Sequence, residues 1–423
     1  MRNSTISPFD PPPVKPREIF GWCCYDFANS SFTTIIITVV FAVYFVGVVA
    51  GGDHRAPGWW GTALALSQLV VIVVSPLIGA LADVTARKKV YLMSAAVVCS
   101  LATMALYFTG AGDVWLALGL VVLANIAFSL GENLCASFLP EISTAENVGR
   151  ISGYGWSFGY LGGLGSLVLA LLIINSGAGR VPWTFVMTGG FFLLACLPTL
   201  MLRERAKRRV LAADQSYLKL GWGQLVRMTR EIPRHRTLMV FFVSMLLFMA
   251  GLTAIVAFAS VFATQVLHMT QTEVIKLFVV LQLAGVAGAY GFGVMQDRTG
   301  PRFALALSLL QWIVVSIWAG LCTTKMEFYI IGVLAGSAMG SLQSGARAVV
   351  ALLTPPGRAG EFFGYWGFVG KLAAVIGQPV FGWIAAYHGY QTAAFANAGF
   401  FVVGLVILLT LRLRPQVGEL QSC

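Results

Sequence analysis

Charge is what this sequence has least of. Only 11% of its 423 residues are Asp, Glu, Lys or Arg, against roughly 25% in a soluble domain. Histidine is scarcer still. The four (His54, His235, His268 and His388) form no metal-binding pair, which leaves histidine-based zinc chemistry without its ligands. No Gly-x-x-x-x-Gly-Lys loop is present to cradle a nucleotide phosphate, which argues against ATP-driven pumping. These absences together speak against an enzyme, and no cofactor or metal is expected.

Seven cysteines occur, and six lie in or beside apolar runs. Their spacing fits neither a metal site nor a disulfide framework. The N-terminus lacks the form of a signal peptide. Residues 1–18 are polar, carry Pro11-Pro12-Pro13, and read as a disordered tail.

Hydrophobic residues make up 58% of the chain. That composition, with these few charges, is that of a membrane protein. Twelve spans of about 20 residues joined by short loops would use up the length. The predicted helices cover about 20–50, 58–82, 88–110, 113–138, 150–175, 181–202, 237–266, 272–296, 302–323, 327–352, 362–387 and 391–412. Turn signals such as Gly51-Gly52-Asp53, Thr299-Gly300-Pro301 and Pro355-Pro356-Gly357 separate them. The predicted division is a tail (1–18), a six-helix bundle (19–202), a basic linker (203–236), a second six-helix bundle (237–413) and a short tail (414–423).

The net charge is +11, a balance that in a soluble chain would suggest nucleic acid. Here the bases flank hydrophobic spans. With both termini on one side, that side holds about 22 of the 28 Lys and Arg. The positive-inside bias therefore predicts cytoplasmic termini in a multi-pass protein of the inner (plasma) membrane, with no nucleic-acid partner. The linker 203–236 carries ten bases against three acids. Its Leu218, Trp222, Leu225 and Ile232 have roughly helical spacing, which predicts a short amphipathic helix on the inner membrane surface.

The two halves resemble each other. Gly79 and Asp83 are followed by Arg87, and Gly293 and Asp297 by Arg298, Gly300 and Arg302. The aspartates are 214 residues apart, about half the chain, which marks an internal repeat. Gly153-Tyr154 with Gly159 returns as Gly364-Tyr365 with Gly370, at an offset of 211. Two parallel six-helix repeats are the organisation of major facilitator transporters. The paired motifs resemble that superfamily's loop signature, Gly-x-x-x-Asp-Arg-x-Gly-Arg-Arg/Lys. The first copy departs from it, with Val84 for the arginine and Ala86 for the glycine. Three segments resemble the branch that contains the vacuolar amino-acid effluxers linked to autophagy: Trp22–Ser30, Ser152–Gly163 and Glu361–Tyr365. The fold so implied is an all-α integral membrane protein of twelve transmembrane helices in two pseudo-symmetric bundles. The implied activity is secondary transport of a small solute, such as an amino acid or related zwitterion. In superfamily members helices one, four, seven and ten line the cavity, and each loop aspartate sits near the start of a helix in the opposite half. By that resemblance Asp83 lies near Glu361–Phe363 and Asp297 near Arg150–Ser152.

Four charged residues lie inside the apolar spans: Asp26, Glu132, Arg347 and Lys371. A charge at the bilayer centre costs roughly 2.5–3.5 kcal/mol on insertion scales, so such residues face a partner, a cavity or a substrate path. Three roles are compatible with them and with one another: a proton site, a salt-bridge gate between the halves, and binding of a zwitterion. The repeat offset makes Glu132–Arg347 the favoured pair, with Asp26 as proton acceptor. Asp26, Asn29, Ser30 and Thr33 share one helical face, as do Asn125, Ser129 and Glu132, and Ser344 recurs near Arg347. These polar residues are cavity candidates, or else glue between helices. Trp156 and Trp366 are further cavity candidates. The helix-five glycines mark close packing or a hinge. The chain is expected to be a monomer. A rival class is a sensor or scaffold that has kept the fold and lost transport; lipid flipping is another option within transport. The intramembrane charges favour a transporter whose partners are a small solute, H+ and the lipid bilayer.

The charge asymmetry generates a direct test. Tags at residues 1–15, within 205–235 and at 415–423 should all report the cytoplasm; an extracellular label reaching any of them would sink the arrangement.

Overall fold

The computed structural model describes residues 14–143, 148–177, 179–204, 236–353 and 359–411. The expected amphipathic linker helix and both tails lie almost wholly outside the described residues. Among those described, regular structure is entirely helical. This is the expected outcome in hydrocarbon, where a spanning segment has to satisfy its backbone polar groups internally.

Twelve long helices follow in chain order: α1 (Pro16–Val49), α2 (Ala56–Thr85), α3 (Lys88–Ala105), α4 (Val114–Ala136), α5 (Val148–Asn175), α6 (Val181–Ala195), α7 (Arg236–Gln265), α8 (Gln271–Thr299), α9 (Pro301–Leu321), α10 (Lys325–Leu353), α11 (Ala359–His388) and α12 (Tyr390–Thr410). Eleven are long and apolar enough to cross a membrane. The other, α10, is the more polar helix that carries Ser337, Ser341, Ser344 and Arg347.

Helix α1 is not uniform. After an α-helical start (Pro16–Phe32) it widens to a π-helix over Thr33–Val39 and again over Phe45–Val49. Thr33 to Val40 is an unbroken run of eight β-branched residues. Such side chains crowd the preceding turn of an α-helix, and the wider π turn relieves the crowding. The run ends in a kink at Val40, where φ is −106° and ψ −56°.

Within the first six helices, α1 packs on α5 and α4 on both α2 and α3; within the last six, α7 packs on α11, α8 on α10 and α9 on α12. The halves meet along three seams, α2–α11, α5–α8 and α1–α7. The repeat exchanges helix two with eight and five with eleven, so the first two seams are related by pseudo-symmetry.

The chain ends identify the two sides. Gly21 in α1 accepts a bond from Thr199 Oγ1 after α6 (2.9 Å). Arg302 at the start of α9 reaches Leu409 at the end of α12 (2.7 Å). We call this the terminal side and the opposite one the far side. Described hydrogen bonds between the halves lie in the far-side portion. Trp60 Nε1 donates to Ala257 O (3.4 Å), Gln271 Nε2 to Val39 O (2.9 Å), Thr272 Oγ1 to Asn175 Oδ1 (3.1 Å) and Trp383 Nε1 to Thr62 Oγ1 (3.1 Å). Ser260 Oγ donates to Thr38 O. The carbonyls of Thr38 and Val39, beside the kink, therefore accept side chains from α7 and α8. Among the described residues, the halves join on the far side through neutral side chains, backbone carbonyls and aromatic rings, with no ion pair between them.

Beside these bonds, toward the far side, Phe41 and Phe45 pack on Trp60 (ring centroids 6.0 and 5.6 Å apart), pairs worth about 0.5–1.5 kcal/mol each beyond their area. Outside them, Arg55 beside Asp53 holds that carboxyl down at about 2, so the far-side loop keeps its ion pair at physiological pH. Exposed Phe108, Trp115 and Trp183 cluster at this end, as an interfacial aromatic belt does.

The seam tolerates no added volume at Gly61. A Cβ there would run into the Gln378 carbonyl and Pro379 across the interface. Gly61→Val should loosen the far side and speed labelling of a cysteine introduced at the buried Gln378 by a membrane-impermeant maleimide; an unchanged rate would contradict the seal.

Candidate functional site

The intramembrane charges lie on the terminal side of the seal. Glu132 sits near the end of α4, and its side chain is 54% exposed. Lys371, from the other half on α11, is 16% exposed and places Nζ 3.8 Å from Glu132 Oε2. This is a long ion pair, and it joins the two halves. The side chains of Arg347 and Ser344 lie outside the described residues, as do those of Asp83 and Asp297. The pairing favoured from the repeat, Glu132 with Arg347, falls on a side chain outside the described residues; the described ion pair of Glu132 across the halves is with Lys371.

Asp26 is half-buried against α5, where Gly155 lacks the Cβ that would strike its carboxylate and Trp22. Ser30 turns back to the Asp26 carbonyl (2.9 Å) and packs on Gly159. The polar face of α1 is therefore held by the glycine face of α5 within one half, a close-packing role for those glycines. Thr33, half-buried, opens the π-helical segment.

Asn125 and Ser129 are both buried in the seam between α2 and α4, the place that the reading as glue between helices gives them. Asn125 Nδ2 donates to Ser67 Oγ (2.5 Å), and Gln68 Nε2 donates to Ser129 Oγ (3.2 Å). The stripe they share with Glu132 is covered by α2 toward the far side and opens only at Glu132. Helical periodicity gives the face but not what covers it. Asn29 is also buried, at 6% exposure. Trp156 is exposed and lies 6.3 Å from the Tyr160 ring. Trp366 is half-buried on α11.

Two glutamines were missed. Gln68 and Gln282 are 214 residues apart, the offset of the loop aspartates. Gln68 lies on α2 beside Ser129, and Gln282 on α8 sets its amide against Gly163 of α5 (3.0 Å to a Cβ built there). Gln68 joins two helices of the first half, and Gln282 lies at the seam between halves. The repeat offset was the signal that could have found them.

The loop motifs end α2 and α8 differently. Gly300 takes φ +86° and ψ 158°, a region essentially reserved for glycine. Ala86, in the place of the missing glycine, takes φ +51° and ψ +42°. Left-handed helical backbone is accessible to alanine at a cost of roughly 1–2 kcal/mol. The departure from the signature thus coincides with a backbone that alanine can adopt.

The chain matches the family model described as "Vacuole effluxer Atg22 like" over residues 62–417. It belongs to that family. Among curated relatives it is 24% identical over 402 residues to an MFS-type transporter, YxiO, of Bacillus subtilis (strain 168), covering 92% of this chain and 93% of the relative. It is 23% identical over 432 residues to Autophagy-related protein 22 of Eremothecium gossypii, covering 87% and 85%. Among solved structures, a bacterial homologue of the human lysosomal transporter Spinster, inward-facing and unoccupied, aligns with a TM-score of 0.71 at 14% identity, covering 94% of this chain and 97% of that one. The nucleoside transporter NupG aligns with a TM-score of 0.67 at 15% identity, covering 93% and 98%. The fold is that of the major facilitator superfamily, and the chain is a multi-pass membrane transporter of that type. Among the described residues, no three His, Cys, Asp or Glu gather as a metal site would require.

Ala86 provides a check on the loop geometry. Ala86→Gly relieves about 1–2 kcal/mol of left-handed strain against about 0.5–1 kcal/mol of glycine entropy. It should raise the thermal midpoint slightly, whereas Gly300→Ala should lower it. The reverse order, in detergent unfolding scans, would contradict the backbone assignment.

Proposed function

We propose that this protein is a secondary active transporter that carries a small solute across the plasma membrane by rocking its two halves. Its termini are cytoplasmic, and the described state is sealed toward the outside. The observation that carries the proposal is the Glu132–Lys371 pair, which spans the two halves on the terminal side of the hydrogen-bonded seal. A structural pair has little reason to be long, half-open and placed across the surface that must part. A pair open to water is worth about 0–1 kcal/mol and strengthens as water is excluded around it. A contact that tightens and loosens during the cycle is therefore an energetic lever on the equilibrium between states.

Protonation supplies the release. A neutral Glu132 no longer holds Lys371, and the freed ammonium becomes a seat for a carboxylate. Asp26, on the same half, is a second proton acceptor. Such a site suits an amino acid or a related zwitterion, with an acid for its ammonium and a base for its carboxylate. Uptake or counterflow would be driven by the proton gradient, which makes H+ a partner of the cycle. The loop aspartates Asp83 and Asp297 would hold the alternate, outward-open state if they meet helix starts of the opposite half, as the superfamily resemblance implies.

In proteoliposomes a proton gradient should drive accumulation of one or more members of an amino-acid panel. Glu132→Gln and Lys371→Met should each lower that rate tenfold or more while leaving expression and folding intact. Arg347→Ala and Asp26→Asn should impair it as well. Normal gradient-driven transport in every single variant would show the charges to be idle and would remove the mechanism.

A further inference from the structure

A groove of about 550 Å³ runs along the flank of the first half, between α3 and the chain that follows α6. Helix α3 lines it along one face from Lys89 to Val98, and Leu200 forms the other wall. Val90, Val97, Val98 and Leu200 are all exposed. Neither α3 nor α6 takes part in the three seams between the halves, so the groove faces the bilayer. From Lys89 to Val98 is nine residues, or about 14 Å of helix. That is close to one leaflet's share of a hydrocarbon core roughly 30 Å thick.

The terminal-side end of the groove is polar. Lys89 Nζ donates to the carbonyls of Leu200 and Leu202 (both 3.1 Å). These carbonyls close the short 3-10 turn Leu197–Met201, and they fix the ammonium at the mouth. An ammonium has three N–H donors, so one is left over. Among the described residues, no carboxylate pairs with this ammonium. Glu204 accepts from the backbone N–H of Lys89 instead, and Glu141 is taken by the neighbouring Lys88 (2.9 Å). Exposed Arg87, two residues away, offsets the charge of Glu204.

A fixed cation at the mouth of an apolar trough one leaflet deep matches an amphiphile with an anionic head and a long chain. A free phosphate would use the cation and leave the trough empty. A neutral lipid would fill the trough and leave the cation unanswered. We propose that the α3 groove binds one anionic glycerophospholipid of the terminal-side leaflet, with its phosphodiester on Lys89 and an acyl chain lying from Val90 to Val98. That this leaflet is the cytoplasmic one rests on the orientation proposed above; the binding itself does not.

The test is lipid binding to the purified, delipidated full chain in detergent, read by native mass spectrometry. The probes are phosphatidylglycerol and phosphatidylcholine with identical chains. One basic residue beside an anionic headgroup is worth about fivefold in affinity. Phosphatidylglycerol should therefore bind at least about fivefold more tightly at its first site, and Lys89→Met should erase the difference. Lys276→Met, which removes an exposed lysine of α8, should leave it intact. Ser94→Trp fills the trough without touching a bond of Lys89 and should weaken both lipids severalfold. It decides the matter should Lys89→Met fail to fold, since unchanged binding there overturns the groove. Equal affinity of the wild type for both lipids overturns the site, as does a preference that survives in Lys89→Met. Glycerol phosphate, which has the head and no chains, should not displace phosphatidylglycerol; full displacement would mean a free-phosphate site and overturn the lipid. No transport is measured, so failure here leaves the ion-pair reading standing, and failure of that reading leaves this one.

Discussion

A charged side chain inside an apolar bilayer has to be answered by another group, and the rest of this molecule is arranged around that requirement. Its two halves use different chemistry on their two sides. Toward the far side they meet through tryptophan N–H groups, amides and backbone carbonyls, which are neutral and tolerate a dry environment. Toward the terminal side they meet through Glu132 and Lys371, whose attraction is strong only while water is kept away. Among the described residues, the seal is thus held by several modest bonds and the opening by an electrostatic contact. Such a division lets a change of one charge alter the balance of states without disturbing the seal directly.

The π-helical stretch of α1 belongs to the same logic. Its β-branched run disturbs the regular α-helical ladder and ends in the kink at Val40. The adjacent carbonyls of Thr38 and Val39 receive Ser260 and Gln271 from the other half. A local irregularity written in the sequence becomes the place where the halves grip each other. Close approach elsewhere depends on missing side chains, as where Gly61 meets the Gln378 carbonyl and Gly155 makes room for Asp26.

Much of the fold was legible because hydrophobic length, turn residues and the repeat all report local or periodic facts. The run from Gln271 to Thr299 and its motif at Gly293, Asp297 and Gly300 are readable from spacing alone. The site was less so. Asn125 and Ser129 share a face with Glu132, yet α2 covers the first two and leaves the third open, and a one-dimensional pattern does not contain the position of a neighbouring helix. The Glu132–Lys371 contact was legible only as one of several acid–base pairings, since the repeat aligns depth within halves while tilt decides contact between them. Gln68 and Gln282 escaped because they lie on helices two and eight, outside the four helices that the superfamily resemblance assigns to the cavity, although the repeat offset ties them together.

The central claim is that Glu132 and Lys371 act on each other across the moving seam. A double-mutant cycle on transport, with the exchange Glu132→Lys plus Lys371→Glu beside the two single reversals, measures that coupling. Each single reversal should abolish transport, and the exchange should recover a measurable part of it. A stably folded exchange no more active than either single reversal would contradict the account.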